Sequence, residues 1–168
     1  ASGKNALPKL ARHLHDKAEE LAGAEAVPQA IAIIVNRVRT AKLLHERLKK
    51  KHPDRVHLMI GRMRSLDRDR LTGTLQTMFS SQARSCDQSV EDTEHEQSFL
   101  PGFSLPGSRQ TDSKPHFVIA TQCLEVGADF DFDAMVCECA SLDALRQRFG
   151  RLNRMGRPIS AQAAVVIG

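Results

Sequence analysis

AIAIIVNRVRTAKLLHERLKKKHPDRVHLMI, residues 30–60, is the stretch whose reading decides the fold. Ala30 to Val35 is a short apolar run rich in β-branched residues, the pattern of a strand buried on both faces of a parallel sheet. From Val38 to Lys51 the pattern changes to a helical one, with Val38, Ala41, Leu44 and Leu48 on one side. Its end, Lys49 to Lys51, puts positive charge where a helix C-terminus favours it. His52-Pro53-Asp54 makes a turn, and Val56 to Ile60 is a second apolar run, closed by Gly61. Strand, helix and strand in this order form a parallel crossover unit, expected to be right-handed.

The same alternation continues on both sides. Residues 4–22 space Leu7, Leu10, Leu14 and Leu21 as the apolar stripe of an amphipathic helix. Its His13, His15 and Asp16 read as a solvated face, because residues two apart on a helix do not face each other. A helix opens near Ser65 or Asp67, either of which can cap it, and runs to about Phe79. His116–Ala120, Ala134–Ala140 and Ala163–Ile167 supply three further strands. The fold class is therefore α/β, a three-layer arrangement around a mostly parallel sheet, formed as one domain over residues 1–168. Between Ser81 and Lys114 the composition turns to Ser, Gln, Asp, Glu and Thr with two Pro-Gly pairs, the signature of a polar, mobile insertion.

Composition narrows the function classes. The chain is 41% hydrophobic, as a globular domain is, and no apolar run reaches the roughly 20 residues that cross a bilayer. It carries no signal-peptide pattern and reads as cytoplasmic, with no membrane partner. Its start, Ala1-Ser2-Gly3, reads as that of a piece of a longer polypeptide. Cys86, Cys123, Cys137 and Cys139 form no CxxC pair and no zinc spacing, so reduced thiols and no metal site are expected, with Cys137 and Cys139 on one strand face. The net charge is +4, from 24 basic and 20 acidic residues. Residues 81–114 hold six acids and three bases, so the remainder carries 21 bases against 14 acids, a basic body compatible with a polyanionic partner.

Three stretches carry candidate chemistry. In QRFGRLNRMGR, residues 147–157, helical spacing aligns Gln147, Arg151 and Arg154 on one face, with Arg148 on a neighbouring edge. Two permanently charged planar forks aimed at one place suit a phosphate. Gly150 costs such a helix about 1 kcal/mol relative to alanine, which close approach of another group to the backbone would explain. An isolated arginine cluster is more often a solvated helix face, so context decides. In TQCLEVGADFDFD, residues 121–133, Thr121 and Gln122 follow a strand and can offer a hydroxyl and amides to phosphates. Glu125, Gly127 and Asp129 follow as a nucleotide-facing turn, with Asp131 and Asp133 as solvated turn residues. In GRMRSLDRDRL, residues 61–71, Arg62, Arg64, Arg68 and Arg70 fit either a phosphate-contact set or a surface salt-bridged with Asp67 and Asp69.

Taken together, ATQCLEVGADFDFD and LDALRQRFGRLNRMGR resemble motifs V and VI of the superfamily 2 helicases in order and spacing. Residues 30–44 resemble motif IV and its helix, and IGRMRSLDRD the nucleic-acid-contact segment that follows it. Within that superfamily the set looks most like the signature helicase-nuclease of type I CRISPR-Cas systems. The resemblance implies a RecA-like second motor domain. It implies that Arg151 and Arg154 are arginine fingers, that Gln147 positions the phosphate or the attacking water, and that Glu125, Gly127 and Asp129 face the nucleotide. It implies backbone contacts to single-stranded DNA from Asn36, Arg37, Gly61, Arg62, Arg68, Thr121 and Gln122. The implied cofactor is ATP with Mg, whose ligands belong to an N-terminal RecA-like domain. An HD nuclease domain of the same polypeptide and a crRNA-guided surveillance complex are the further partners implied. This sequence contains no GxxxxGK[ST] loop, no DExH or DExD box and no HD constellation, so the chain by itself is expected not to turn over ATP. A different superfamily 2 DNA or RNA helicase, or a stand-alone nucleic-acid-binding module, is the alternative reading.

Overall fold

All five residues of the strand β1, Ala30–Ile34, are buried, as a strand covered on both faces must be. The computed structural model describes residues 6–24, 28–61, 63–79, 114–122 and 130–168. In chain order these form α1 (Ala6–Ala22), β1, α2 (Val38–Lys51), β2 (Val56–Met59), α3 (Ser65–Phe79), β3 (His116–Ala120), β4 (Ala134–Glu138), α4 (Leu142–Phe149) and β5 (Gln162–Val166). The expected strands and helices are present, with ends that agree or differ by one or two residues, except for the arginine helix, which ends earlier than expected. The strands make one sheet of order β2-β3-β1-β4-β5, every neighbour parallel. β3 lies between β1 and β2, so the strand-helix-strand unit of residues 30–60 spans a gap that a later strand fills.

Alternation along the strands creates two cores. Ile31 and Ile33 of β1, Phe117 and Ile119 of β3, and Ala134 and Val136 of β4 face α1 and α2, where they meet Leu14, Leu44 and Leu48. Burying each of those leucines contributes about 2 kcal/mol. Ala30, Ala32, Ile34, Val118, Ala120, Met135 and Cys137 face the other way, against Leu71 and Leu75 of α3, Leu145 of α4, Phe130 and Phe132. Helices therefore cover both faces of the sheet, the expected three layers. Cys137 is buried as a small hydrophobe, whereas Cys139 lies beyond the end of β4 and is exposed. β5 is the exception to burial, an edge strand with Val165 well exposed. The insertion expected at 81–114 lies outside the described residues except for Lys114, whose carbonyl accepts a bond of 2.7 Å from Arg55 Nη1. No described helix is long and apolar enough to cross a membrane.

At the outer edge, His57 of β2 stacks on His116 of β3, with ring centres 5.6 Å apart and Nε2 to Nδ1 at 3.3 Å. Burial, then the neighbouring His116 and His45, push the His57 pKa below its ordinary 6.5. His45 on α2 is lowered too, by burial and by Lys49. A histidine with a lowered folded pKa contributes stability that is complete above 6.5 and lost as pH falls below it, because the unfolded chain binds the proton first. The urea midpoint is expected to fall between about pH 7 and pH 5.5, and His57→Phe to flatten that dependence. Glu19 does not contribute in that window. Burial raises its pKa, but bonds from Lys51 and His52 outweigh this and leave it below 4.5, so its effect appears at lower pH.

Candidate nucleic-acid edge and arginine loop

Most of the described candidates for nucleic-acid contact gather at the carboxyl edge of the sheet, where α/β folds bind ligands. Asn36 and Arg37 follow β1, Gly61 follows β2, and Thr121 and Gln122 follow β3. Backbone bonds from Val35 N to the Ala120 carbonyl and from Thr121 N to the Met59 carbonyl, 2.9 and 3.2 Å, hold the three strand ends together. Arg37 and Gln122 are exposed, and Thr121 is buried at 8%. A Cβ on Gly61 would meet nothing within 4 Å, so this glycine faces open space. Arg68 lies on α3, in the segment after β2. Arg62, Glu125, Gly127 and Asp129 fall outside the described residues.

Asn36 is committed to the fold. Its amide Nδ2 donates to the Cys139 carbonyl at 2.8 Å, its backbone N donates to Glu138 Oε2 at 2.7 Å, and its Oδ1 accepts from Arg148 Nη2 at 2.9 Å. Arg148 also donates through Nη1 to the Glu138 carbonyl at 3.0 Å and is 1% exposed. The expectation that Arg148 lies on the edge of a guanidinium face is thus corrected: three residues after Leu145, it falls on the side of α4 that meets the sheet and ties the ends of β1 and β4 together. That i, i+3 relation to the inner-face Leu145 was the signal available in the sequence. Arg148→Ala is expected to cost about 2–3 kcal/mol in chemical unfolding, since bonds to a charged donor are lost.

The second correction concerns the arginine stretch itself. α4 ends at Phe149, so Gln147, Arg151 and Arg154 do not share one helical face. Gly150 caps the helix in ordinary right-handed geometry, with φ −63°, and a Cβ there would sit 3.4 and 3.5 Å from the carbonyls of Arg146 and Gln147, in normal contact. The chain then leaves the helix because it finds a different partner. Phe132 N donates to the Arg151 carbonyl at 2.9 Å and Asn153 N to the Phe132 carbonyl at 2.8 Å, forming a parallel bridge between Phe132 and Leu152. Asn153 takes up the turn at φ 42°, a left-handed conformation that asparagine tolerates better than most side chains.

Asp131 and Asp133 are not solvated turn residues. Asp131 is wholly buried and Asp133 7% exposed, and between them they hold Arg157. Arg157 Nε meets Asp131 Oδ2 at 2.8 Å and Nη2 meets Asp133 Oδ1 at 2.6 Å. The remaining carboxylate oxygens accept backbone amides: Asp131 Oδ1 from Arg154 at 2.7 Å, Asp133 Oδ2 from Gln29 and Ala30 at 2.7 and 2.8 Å. Asn153 completes the turn, Oδ1 accepting from Arg157 N at 2.9 Å and Nδ2 donating to the Arg157 carbonyl at 3.0 Å. Gln147 and Arg154 are exposed and Arg151 is half-buried, all presented from α4 and the fixed loop after it. This loop lies beside the start of β1 and the approach to β4, at the other end of the strands from the carboxyl-edge group. Arg157 was the residue that sequence reading left without a role.

The family described as CRISPR-associated nuclease/helicase Cas3, C-terminal, matches residues 28–157. A Cas3-type protein of Methanocaldococcus jannaschii is 42% identical over 55 residues, 33% of this chain and 8% of that protein. The crystal structure of T. fusca Cas3 superposes with a TM-score of 0.66 at 19% identity, covering 94% of this chain and 16% of that one, and it has also been solved with AMPPNP, ADP and ATP. The C-terminal domain of the DEAD-box protein Dbp5 superposes with a TM-score of 0.52 at 20% identity, covering 94% of this chain and 70% of that domain. The chain thus spans a small part of the Cas3 proteins it matches. With a five-stranded parallel sheet covered on both faces and more than half its length matched, the chain belongs to the family of the CRISPR-associated nuclease/helicase Cas3 C-terminal region and has a RecA-like fold.

Proposed function

We propose that this domain is the second half of an ATP-driven DNA motor in a type I CRISPR interference helicase-nuclease. In this reading Arg151 and Arg154 reach across a cleft to the γ-phosphate held by an N-terminal RecA-like domain, where they stabilise charge that develops in the transition state. Gln147 orients the phosphate or the attacking water. Glu125, Gly127 and Asp129 face the nucleotide, and the magnesium ligands lie on the N-terminal domain. Arg37, Gly61, Arg62, Arg68, Thr121 and Gln122 track single-stranded DNA through its phosphates, while Asn36, bonded to Glu138, Cys139 and Arg148, holds the strand ends behind them. Such binding is largely blind to sequence and weakens with salt. The other proposed partners are an HD nuclease domain in the same polypeptide and a crRNA-guided surveillance complex.

The observation that carries the reading is the anchored loop: two arginines are presented from a turn fixed by buried carboxylates, in a chain whose family is a nuclease/helicase. Gly150 adds support. Its backbone is ordinary and a Cβ would fit, so nothing described within the chain requires glycine there. Gly150→Ala is expected to leave the isolated domain as stable or up to about 1 kcal/mol more stable, yet to lower ATP turnover in the joined protein. Unchanged turnover would show that no group approaches this backbone. The reading as a whole is tested by ATP-dependent displacement of a protein block from single-stranded DNA, using the complete polypeptide. Displacement that the double variant Arg151→Ala/Arg154→Ala abolishes supports it; DNA binding without displacement supports the stand-alone binding module.

A further inference from the structure

We infer that Arg157 is a positioning residue for ATP turnover, a single guanidinium that sets where Arg151 and Arg154 stand relative to the sheet; the inference rests on the arginine-finger reading above. The fork of Arg157 bridges two carboxylates instead of gripping one. Nε takes Asp131 and Nη2 takes Asp133, each carboxylate buried, while the Arg157 side chain is itself only 12% exposed. Each carboxylate turns its other oxygen to a different part of the backbone. Asp131 fixes the amide of Arg154, inside the arginine loop, and Asp133 fixes the amides of Gln29 and Ala30, where β1 begins. The loop is thereby tied through one cation to the central strand of the sheet. Asn153 holds the Arg157 backbone from the other side, and the Phe132–Leu152 bridge sets the register one residue before Asn153.

Only a planar fork can span both carboxylates in this way. A lysine ammonium is a compact charge that can keep the ion pair with one of them but cannot hold both at these positions. Displacements of about 1 Å in a transition-state contact lower rates on the order of 100-fold while leaving the ground-state complex nearly intact. Arg157 touches no substrate in this reading and acts through Arg154 and Arg151.

The test uses the polypeptide carrying both motor domains. Arg157→Lys is expected to lower kcat roughly 10- to 100-fold, with KM for ATP and single-stranded DNA affinity within about twofold of the unaltered protein. Arg157→Gln should show the same split more strongly. Ile33→Val, a core change remote from the clip, lowers Tm and should leave kcat measured well below Tm unchanged. A folded Arg157→Lys protein with kcat retained within twofold overturns the inference and leaves the clip a purely stabilising device. If Arg157→Lys does not fold, Asn153→Ser, which loosens the Arg157 backbone while leaving both carboxylate pairs, must show the kcat loss or the inference falls. Arg151→Ala, measured alongside, separates the two levels: if it leaves turnover intact, the arginine-finger reading has failed, whatever Arg157 does.

Discussion

Arg151→Ala, made in the protein that carries both motor domains, is expected to lower ATP turnover by a factor on the order of 10³ or more, with ATP binding changed little. In the proposed function the separation follows from what the guanidinium would meet. As the bond to the leaving oxygen loosens, its electron pair stays with that oxygen and negative charge grows there, so an arginine aimed at the reacting end of the triphosphate binds the transition state better than the ground state. Its half-buried position and the bond from Phe132 N to its carbonyl hold it in a defined place. Arg154 shares the loop and the same anchoring, so its substitution should act in the same direction. The measurement is single-turnover hydrolysis beside the affinity for a non-hydrolysable ATP analogue. Equal loss in both would make Arg151 a ground-state contact.

Asp131→Ala is expected to destabilise the isolated domain by about 3 kcal/mol or more in urea unfolding. The carboxylate is wholly buried and supports two partners, so its removal strips Arg157 of one counter-charge in a water-poor site and leaves the Arg154 amide without an acceptor from that carboxylate. Asp133 still engages the other end of Arg157, which keeps the loss near the lower end of the range for a broken buried pair. Against a total stability of about 5–15 kcal/mol this is a large fraction. A loss under about 1 kcal/mol would mean that water takes the place of the carboxylate at no cost, and that Asp131 is no anchor.

The two aspartates show where sequence reading stops. The apolar runs at 30–34, 56–59, 116–120 and 134–138 were legible as strands because burial leaves few polar positions, His57, His116 and Glu138 being the exceptions. The amphipathic stripe of α2 was equally plain, with Ala41, Leu44 and Leu48 buried as their spacing requires. Sheet order was not legible, since nothing local in β3 says that it will pair with both β1 and β2. Asp131 and Asp133 look like turn residues until Arg157, 24 residues or more along the chain, is brought against them. The end of α4 was missed for the same reason. Helical spacing from Gln147 to Arg154 is locally acceptable, and a long-range bridge between Phe132 and Leu152 overrides it. Candidate residues at strand ends were placed by topology alone, which is why Asn36, Gly61 and Thr121 came together at one edge. Arg148 was read as lying on an outward edge because an arginine's burial depends on acceptors that only the fold assembles, here Glu138 O and Asn36 Oδ1.

The half-motor account is tested most directly by ATP turnover, with and without single-stranded DNA, measured on this chain alone and on the same chain joined to an N-terminal RecA-like domain of its own protein. The account predicts no turnover by the chain alone and DNA-stimulated turnover when the two are joined. Turnover by the isolated chain, or none in the joined protein, would contradict it and assign the arginine loop to other chemistry.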